Sequence, residues 1–233
     1  MRSMLFAVLL SVVATGAAAG SVIDFSHPDQ SYQELAFGRV ANGQYEDAAR
    51  YFRLAANFAD KPSQLALAIM HDEGIGMPVD KVAAYAWSDV AAERGYPQFL
   101  IVRERIWAEL DAAGQARALA LGATLYREFG DAVAKPRLEA RLQRGLARAT
   151  GSRTGAVDES LQVGVVRKGY GRVVPGQLGG SAGALAGLAA ASSRVRDYYA
   201  TYRWKPVEYW ARVDEVWLPT GKVSVGELQK VQR

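Results

Sequence analysis

Histidine, aspartate and glutamate stand side by side at His71-Asp72-Glu73, a combination that could ligate a metal ion or perform acid–base chemistry. Consecutive residues of a helix point in different directions, so these three side chains would not converge on one ion. The second histidine, His27, precedes a proline and has no such companion in the sequence. We therefore assign His71 to packing and predict neither a metal site nor a cofactor.

Most of the common catalytic signatures are missing from the sequence. It contains no H-E-x-x-H or phosphate-loop pattern, and its G-x-S-x-G match at residues 179–183 lies in a segment made almost entirely of Gly, Ala, Leu and Ser. It also contains no cysteine, which excludes disulfides, thiolate metal sites, a cysteine nucleophile and a lipid-modified cysteine. We predict that the chain is not an enzyme. The alternative is a cell-envelope enzyme that uses carboxylates as acid and base, with Asp214 and Glu215 or Glu159 as candidates.

Basic residues with glycines nearby provide a second kind of candidate chemistry. Residues 164–172 combine three glycines with cations and a tyrosine, a composition that suits either an anion-binding loop or a solvated loop. Residues 135–149 carry arginines at three- and four-residue spacing opposite a stripe of leucines, Leu138, Leu142 and Leu146. This segment could lie on an anionic surface, dock on the acidic half of the chain or simply face water. The possible anion-binding residues are Arg141, Arg144, Arg148, Arg167, Lys168 and Arg172.

The charge of the chain divides unevenly. Residues 1–133 have a net charge of −5, and residues 134–233 have a net charge of +9. This asymmetry predicts two functional halves.

The first residues have the features of an export signal. Arg2 provides a positive start, Leu5 to Val13 form an apolar run, and Ala17-Ala18-Ala19 supply small residues for cleavage. We predict a signal peptide at residues 1–19, cleavage near Ala19 and a periplasmic or secreted mature protein. The alternative is a retained membrane anchor, for which the apolar run is short against the roughly 20 residues a spanning helix needs.

Two segments of the chain match at an offset of 35 residues. Residues 46–56 align with residues 81–91, so that two alanines, one bulky aromatic and a further alanine occupy the same positions. Each aromatic, Phe52 or Trp87, lies four residues from an alanine on either side, which places all of them on one helix face. Each segment follows another helical stretch across a glycine turn, at Gly43 or at Gly74 and Gly76. An internal period in the thirties is the signature of stacked helical hairpins.

Residues 67–95 resemble a Sel1-like repeat. They run as a small-residue helix, Gly74-Ile75-Gly76, Asp80, then Ala84-Tyr85-Ala86-Trp87 and Ala91-Ala92-Glu93-Arg94-Gly95. His71 departs from the family, which usually carries tyrosine there. Residues 43–48 resemble a tetratricopeptide repeat, and residues 98–110 with 115–129 predict a third hairpin.

The resemblance implies an exported scaffold that binds a protein partner in the cell envelope, because Sel1-like proteins act chiefly as adaptors. It places the contact surface in the groove lined by the first helix of each hairpin. The candidate partner-binding residues are Tyr32, Arg39, Asn42, Gln64 and Asp72. The alternative function is binding of anionic lipid or polymer through the basic segment 135–172. We expect no nucleic-acid partner.

The fold class predicted from the sequence is mainly α: an α-solenoid of stacked helical hairpins, a Gly-rich linker and a small α+β tail. The repeat domain spans residues 31–150, with the arginine-rich helix as its C-terminal cap, and the linker spans residues 151–193. The tail, residues 194–233, is dense in aromatic residues. We predict helices at 195–202 and 207–211 and a hairpin of strands at 213–218 and 222–225.

Overall fold

The computed structural model describes residues 26–150 and 200–218, with side chains to residue 147 in the first range. The signal-peptide and linker predictions lie outside these residues. Within them the protein is mainly helical and contains no β-strand. The helices are α1 (Pro28–Ala41), α2 (Tyr45–Ala56), α3 (Lys61–Glu73), α4 (Lys81–Ala91), α5 (Pro97–Ala108), α6 (Ala112–Phe129), α7 (Asp131–Thr150), α8 (Thr201–Trp204) and α9 (Pro206–Glu215).

The helix boundaries follow local signals in the sequence. Asp60, Asp80 and Asp111 precede α3, α4 and α6, and each accepts a hydrogen bond from the backbone N–H three residues later. Proline occupies the first turn of α1, α3, α5 and α9, where its missing N–H costs nothing. The turn after α3 requires Gly74 and Gly76, whose φ angles are 72° and 70°.

The two segments related by 35 residues form the second helices of the first two hairpins. Phe52 on α2 and Trp87 on α4 are both buried, and the alanines around them let neighbouring helices approach closely. Helix α1 packs on α2, α2 on α3, and α3 on α4, while α4 packs on α6 as well as on α5. The two helices predicted for a third hairpin are present as α5 and α6, and α6 packs on α4. Residues Lys61 to Met70 of α3 are all buried, so α3 lies at the centre of the core.

The arginine-rich helix, α7, buries its leucine stripe against the C-terminal segment. Leu138 and Leu142 form a buried cluster with Tyr209 and Trp210 of α9 and with Ala59 before α3. Leu138 and Leu142 are fully buried, and Leu146 is half-buried. Trp204, Tyr209 and Trp210 of the tail are therefore buried, whereas Tyr202 is exposed.

The predicted strand at residues 213–218 is wrong, because α9 continues to Glu215 and a turn follows it. Pro206 begins the helix, and the residues at three- and four-residue spacing, Tyr209, Trp210 and Val213, all pack on the same cluster. This burial outweighs the β-propensity of the valines. The second predicted strand, at 222–225, lies outside the described residues.

A buried network of charges joins α3, the turn after α4 and the start of α7. The Lys61 ammonium is fully buried and lies 2.7 Å from Glu93 Oε2 and 3.1 Å from Asp131 Oδ1. Arg94 donates two hydrogen bonds to the same aspartate, from Nε at 2.7 Å and from Nη2 at 3.0 Å. Arg94 also pairs with Asp214 of α9 at 3.3 Å. These pairs fix the C-terminal helix to the hairpins by charge as well as by apolar contact.

Candidate protein-binding surface

Three of the five predicted contact residues lie on α1 or at its C-terminal cap. Tyr32, Arg39 and Asn42 are spaced so that they share one face of the helix. Tyr32 and Arg39 are half-buried, and Asn42 is exposed. Arg39 Nη1 donates to Gln44 Oε1 at 2.7 Å, and Asn42 Nδ2 donates to the Gly38 carbonyl at 2.9 Å. These hydrogen bonds hold Arg39 and Asn42 in place on the first hairpin.

Sequence reasoning missed two aromatic residues that adjoin this face, Tyr51 on α2 and Phe58 in the turn after it. The Tyr32 ring stacks on Tyr51 at 6.5 Å and on Phe58 at 6.4 Å between centroids, and the Arg39 guanidinium lies 5.8 Å from the Tyr51 ring centre. All four side chains are half-buried. We call Tyr32, Arg39, Tyr51 and Phe58 the aromatic face. The seven-residue spacing of Tyr51 and Phe58 was a signal available in the sequence.

An exposed aliphatic side chain extends the aromatic face. Leu54 lies three residues after Tyr51, so the two are neighbours on the surface of α2. It is 41% exposed. The first hairpin thus presents aromatic rings, an arginine and a leucine side by side, a composition enriched where proteins bind one another.

The prediction for Gln64 is corrected by its burial, since this side chain is fully enclosed in the core. Its Nε2 donates to the Phe129 carbonyl at 2.9 Å and to the Ala56 carbonyl at 3.3 Å, and its Oε1 accepts from Lys61. Gln64 thus joins α3 to the ends of α2 and α6. The reason is that α3 is covered by neighbouring helices, so that Lys61 to Met70 are all buried.

The prediction for Asp72 is corrected in the same way, because its carboxylate is only 3% exposed. Arg105 Nη2 lies 2.7 Å from one carboxylate oxygen, and Lys81 Nζ pairs with the other. Lys81 and Arg105 also both pair with Glu109. Asp72 therefore belongs to a four-membered ion-pair cluster that connects the end of α3 with α4 and α5.

An open groove of about 650 Å³ adjoins this cluster, at the starts of α4 and α6. Its walls include Val79, Lys81, Glu109, Leu110 and Arg117. Lys81 and Glu109 are paired with each other. The groove thus combines charged and aliphatic side chains.

His71 is half-buried, and burial lowers its pKa, so the ring is neutral at pH 7. Its Nδ1 is buried and has no hydrogen-bond partner within the described part of the chain. The neighbouring Asp72 points into the ion-pair cluster. No group of three or more metal-ligating side chains occurs among residues 26–147 and 200–218.

The candidate anion-binding residues divide between described and undescribed parts of the chain. Arg141 and Arg144 are exposed on the outer side of α7, away from its leucine stripe. Arg144 Nε donates to the Ala140 carbonyl at 2.9 Å. Arg137 Nη1 instead donates hydrogen bonds to the Asn57 and Glu128 carbonyls, at 2.9 and 3.1 Å. The side chains of Arg148, Arg167, Lys168 and Arg172 lie outside the described residues.

The candidate catalytic carboxylates do not form a pair. Asp214 is bound by Arg94 and by the Tyr96 hydroxyl, whereas Glu215 is exposed and pairs with Arg212 on the same helix. Glu159 lies outside the described residues. Asp214 thus helps to hold α9 on the hairpins, and Glu215 forms an ion pair on the protein surface.

Comparison of the chain with protein-family models, with curated proteins and with solved structures finds no match in any of the three. The resemblance to Sel1-like and tetratricopeptide repeats therefore stays a prediction. Among the described residues, no helix is both long enough and apolar enough to cross a bilayer.

Proposed function

We propose that this chain is an exported helical-repeat scaffold, of the Sel1-like and tetratricopeptide-like kind, that binds another protein in the cell envelope. The aromatic face of the first hairpin is the contact surface. In this proposal the hairpins stack as a short α-solenoid, and the signal peptide directs the chain to the periplasm.

The observation that carries the proposal is the composition of the aromatic face. Tyrosine and arginine are enriched among the interface residues that contribute most to binding free energy. Tyr32, Tyr51 and Phe58 are already held against one another, so little side-chain entropy is lost when a partner covers them. Leu54 adds exposed apolar area beside them. The groove at the starts of α4 and α6 instead mixes charged with aliphatic side chains and contains no aromatic residue among those that line it.

The test is affinity capture from solubilised envelope at low and high salt, with two matched variants. Leu54→Glu places a charge on the aromatic face, and Ile101→Glu makes the same change at a 70% exposed position on α5. We expect the wild type and the Ile101→Glu variant to capture one discrete partner protein that stays bound at high salt. The Leu54→Glu variant should fail to capture it. Equal capture by all three proteins would refute the aromatic face as the contact surface.

A second candidate function is binding of an anionic lipid or polymer surface through the basic segment. Arg141 and Arg144 support it, because both are exposed on one side of α7. The leucines of α7 are covered by α9, so such binding would be electrostatic and would not require insertion of the helix. The test is binding of the protein to anionic vesicles. We expect this binding to weaken with added salt and in the Arg141→Gln and Arg144→Gln variants.

A further inference from the structure

Helix α9 meets the hairpins through a few large side chains. Only Tyr209 and Trp210 of its ten residues are buried, and Val207 is 83% exposed. Among the described helices, the backbone of α9 runs closely beside that of α8 alone. The hairpin helices, in contrast, pack closely on one another, with alanines throughout their shared core. The contact of α9 thus resembles an interface between two molecules, in which a few aromatic side chains contribute most of the binding free energy.

The surface beneath residues 200–218, which we call the docked segment, is shaped for large rings. At one end, Gly145 of α7 leaves room for Trp204, since an added Cβ would lie 2.8 Å from that ring. At the other end, Trp217 packs on Phe99 of α5 at 5.0 Å between ring centroids. We call this surface the docking groove and define it by Ala59, Arg94, Phe99, Leu138, Leu142 and Gly145.

Polar groups set the position of a helix in the docking groove. The Arg94 guanidinium is only 6% exposed, and it lies 4.7 Å from the Trp210 ring centre and 3.3 Å from Asp214 Oδ1. Trp210 Nε1 donates to Glu139 Oε1 at 3.0 Å. One cation thus contacts an aromatic ring and a carboxylate that are four residues apart on α9. The docking groove therefore has the chemistry to recognise a helix with the pattern Trp-x-x-x-Asp or Trp-x-x-x-Glu.

The docking groove does not depend on α9 for its own geometry. Arg94 donates two hydrogen bonds to Asp131, at 2.7 and 3.0 Å, and one to the Ala59 carbonyl at 3.1 Å. These acceptors lie outside the docked segment, so the guanidinium stays in place when α9 leaves, and the groove is preformed. Fifty residues separate α7 from α8 in the sequence. A chain of that length reaches roughly 165 Å when extended, which permits the docked segment to leave without moving α7.

The docking groove continues into the aromatic face. Phe58 stacks with Tyr32 on the aromatic face, and it also packs against the cluster of Ala59, Leu138 and Leu142. The two surfaces therefore meet at one side chain, and removal of α9 would join them into a single apolar surface.

We propose that the docked segment is a displaceable intramolecular ligand, and that the docking groove receives in its place a helix of a protein partner with the same Trp-x-x-x-acid pattern. The partner is that of the proposed function, on which this inference rests. While the docked segment is seated, the aromatic face is open and the docking groove is closed. A partner whose helix displaces α9 contacts both surfaces at once, and the affinity of the docked segment sets the threshold for that exchange.

The test uses a fluorescent peptide of residues 200–218 and follows its binding to the full-length chain by anisotropy. Trp210→Ala in the chain weakens the docked segment, and Val207→Ala is the matched control at an exposed position of the same helix. We expect the peptide to bind the Trp210→Ala chain at least about tenfold more tightly than the wild type or Val207→Ala, because truncation of a central interface tryptophan typically costs tenfold or more in affinity.

Changes in the peptide test recognition without affecting the fold of the chain. Asp214→Asn in the peptide removes the charge that pairs with Arg94 and should weaken binding to the Trp210→Ala chain about tenfold, whereas Val207→Ala in the peptide should not. Leu54→Glu in the same chain should leave peptide binding unchanged, because Leu54 lies outside the docking groove. A failure of the aromatic face in affinity capture is therefore distinguishable from a failure of the docking groove.

Three results would overturn the proposal. The first is no binding of the peptide to the Trp210→Ala chain, or equal affinity for all three chains. The second is loss of the helical circular dichroism signal in the Trp210→Ala chain, because α9 would then be an integral part of the fold. The third is a wild-type dimer that the peptide dissociates, since the occupant in trans would then be the docked segment of a second copy.

Discussion

The buried lysine of α3 allows a matched pair of substitutions that measures how much the charge network stabilises the fold. Lys61→Met removes the ammonium and keeps most of the side-chain volume. It leaves the Val90 carbonyl, 3.0 Å from Nζ, and Gln64 Oε1 without their buried donor. Glu93 and Asp131 each lose one cation, but Asp131 retains Arg94 and Lys135.

The expected cost is about 3 kcal/mol of unfolding free energy, the lower end of the range for removing one partner of a buried ion pair. The control is Lys135→Met, the same substitution at a second lysine that also pairs with Asp131, at 3.0 Å. Its side chain is 28% exposed, whereas that of Lys61 is fully buried. Lys135→Met should therefore cost about 1 kcal/mol or less.

Urea unfolding followed by circular dichroism measures both changes. With a slope of roughly 2 kcal/mol per molar urea, Lys61→Met should lower the midpoint by about 1.5 M and Lys135→Met by about 0.5 M or less. Equal shifts for the two variants would refute the reasoning, because exposure would then not decide the contribution of these ion pairs. A midpoint unchanged by Lys61→Met would refute it as well.

Three further outcomes follow from packing and charge. Gly76→Ala should lower the free energy of unfolding by more than about 2 kcal/mol in a thermal melt, because φ is positive there and the new Cβ would lie 2.6 Å from Tyr45 Cβ. The control is Gly38→Ala, whose new Cβ would have no atom within 4 Å and which should leave the melt unchanged or stabilise the protein. Leu142→Ala should cost about 2–5 kcal/mol in urea and weaken the protection of α9 in hydrogen exchange. Because its pKa is lowered in the folded protein, Asp131 stabilises the fold above the ordinary carboxyl pKa, and this stabilisation is lost as the pH falls below about 4. Asp131→Asn should therefore make acid unfolding less steep. An unchanged acid transition would contradict this assignment.

The helical hairpins could be predicted because their signals are local. The glycine turn at Gly74 and Gly76, the capping Asp80 and the repeated aromatic of α2 and α4 each act within a few residues, and the structure contains them as predicted. Glycine, aspartate and aromatic spacing report directly on backbone geometry and on the buried face of a helix.

The candidate site was only partly predictable, because exposure depends on contacts between distant parts of the chain. Tyr32 and Arg39 were identified, but Gln64 is enclosed by α2 and α6, and Phe129 is 65 residues away from it. The helical end of the tail was missed for the same reason. The β-propensity of Val213 favours a strand, but Val213 packs against the cluster that contains Leu138 and Leu142, and this long-range contact favours the helix.

The most direct test of the proposed scaffold is site-specific photo-cross-linking in the producing cell. A photoreactive amino acid replaces Leu54 in one variant and Ile101 in another, both at exposed helix positions. We predict one discrete cross-linked protein at position 54 and none at position 101, with the product found in the envelope fraction. Cross-links of equal yield and identity at both positions, or none at position 54, would contradict a partner bound to the aromatic face.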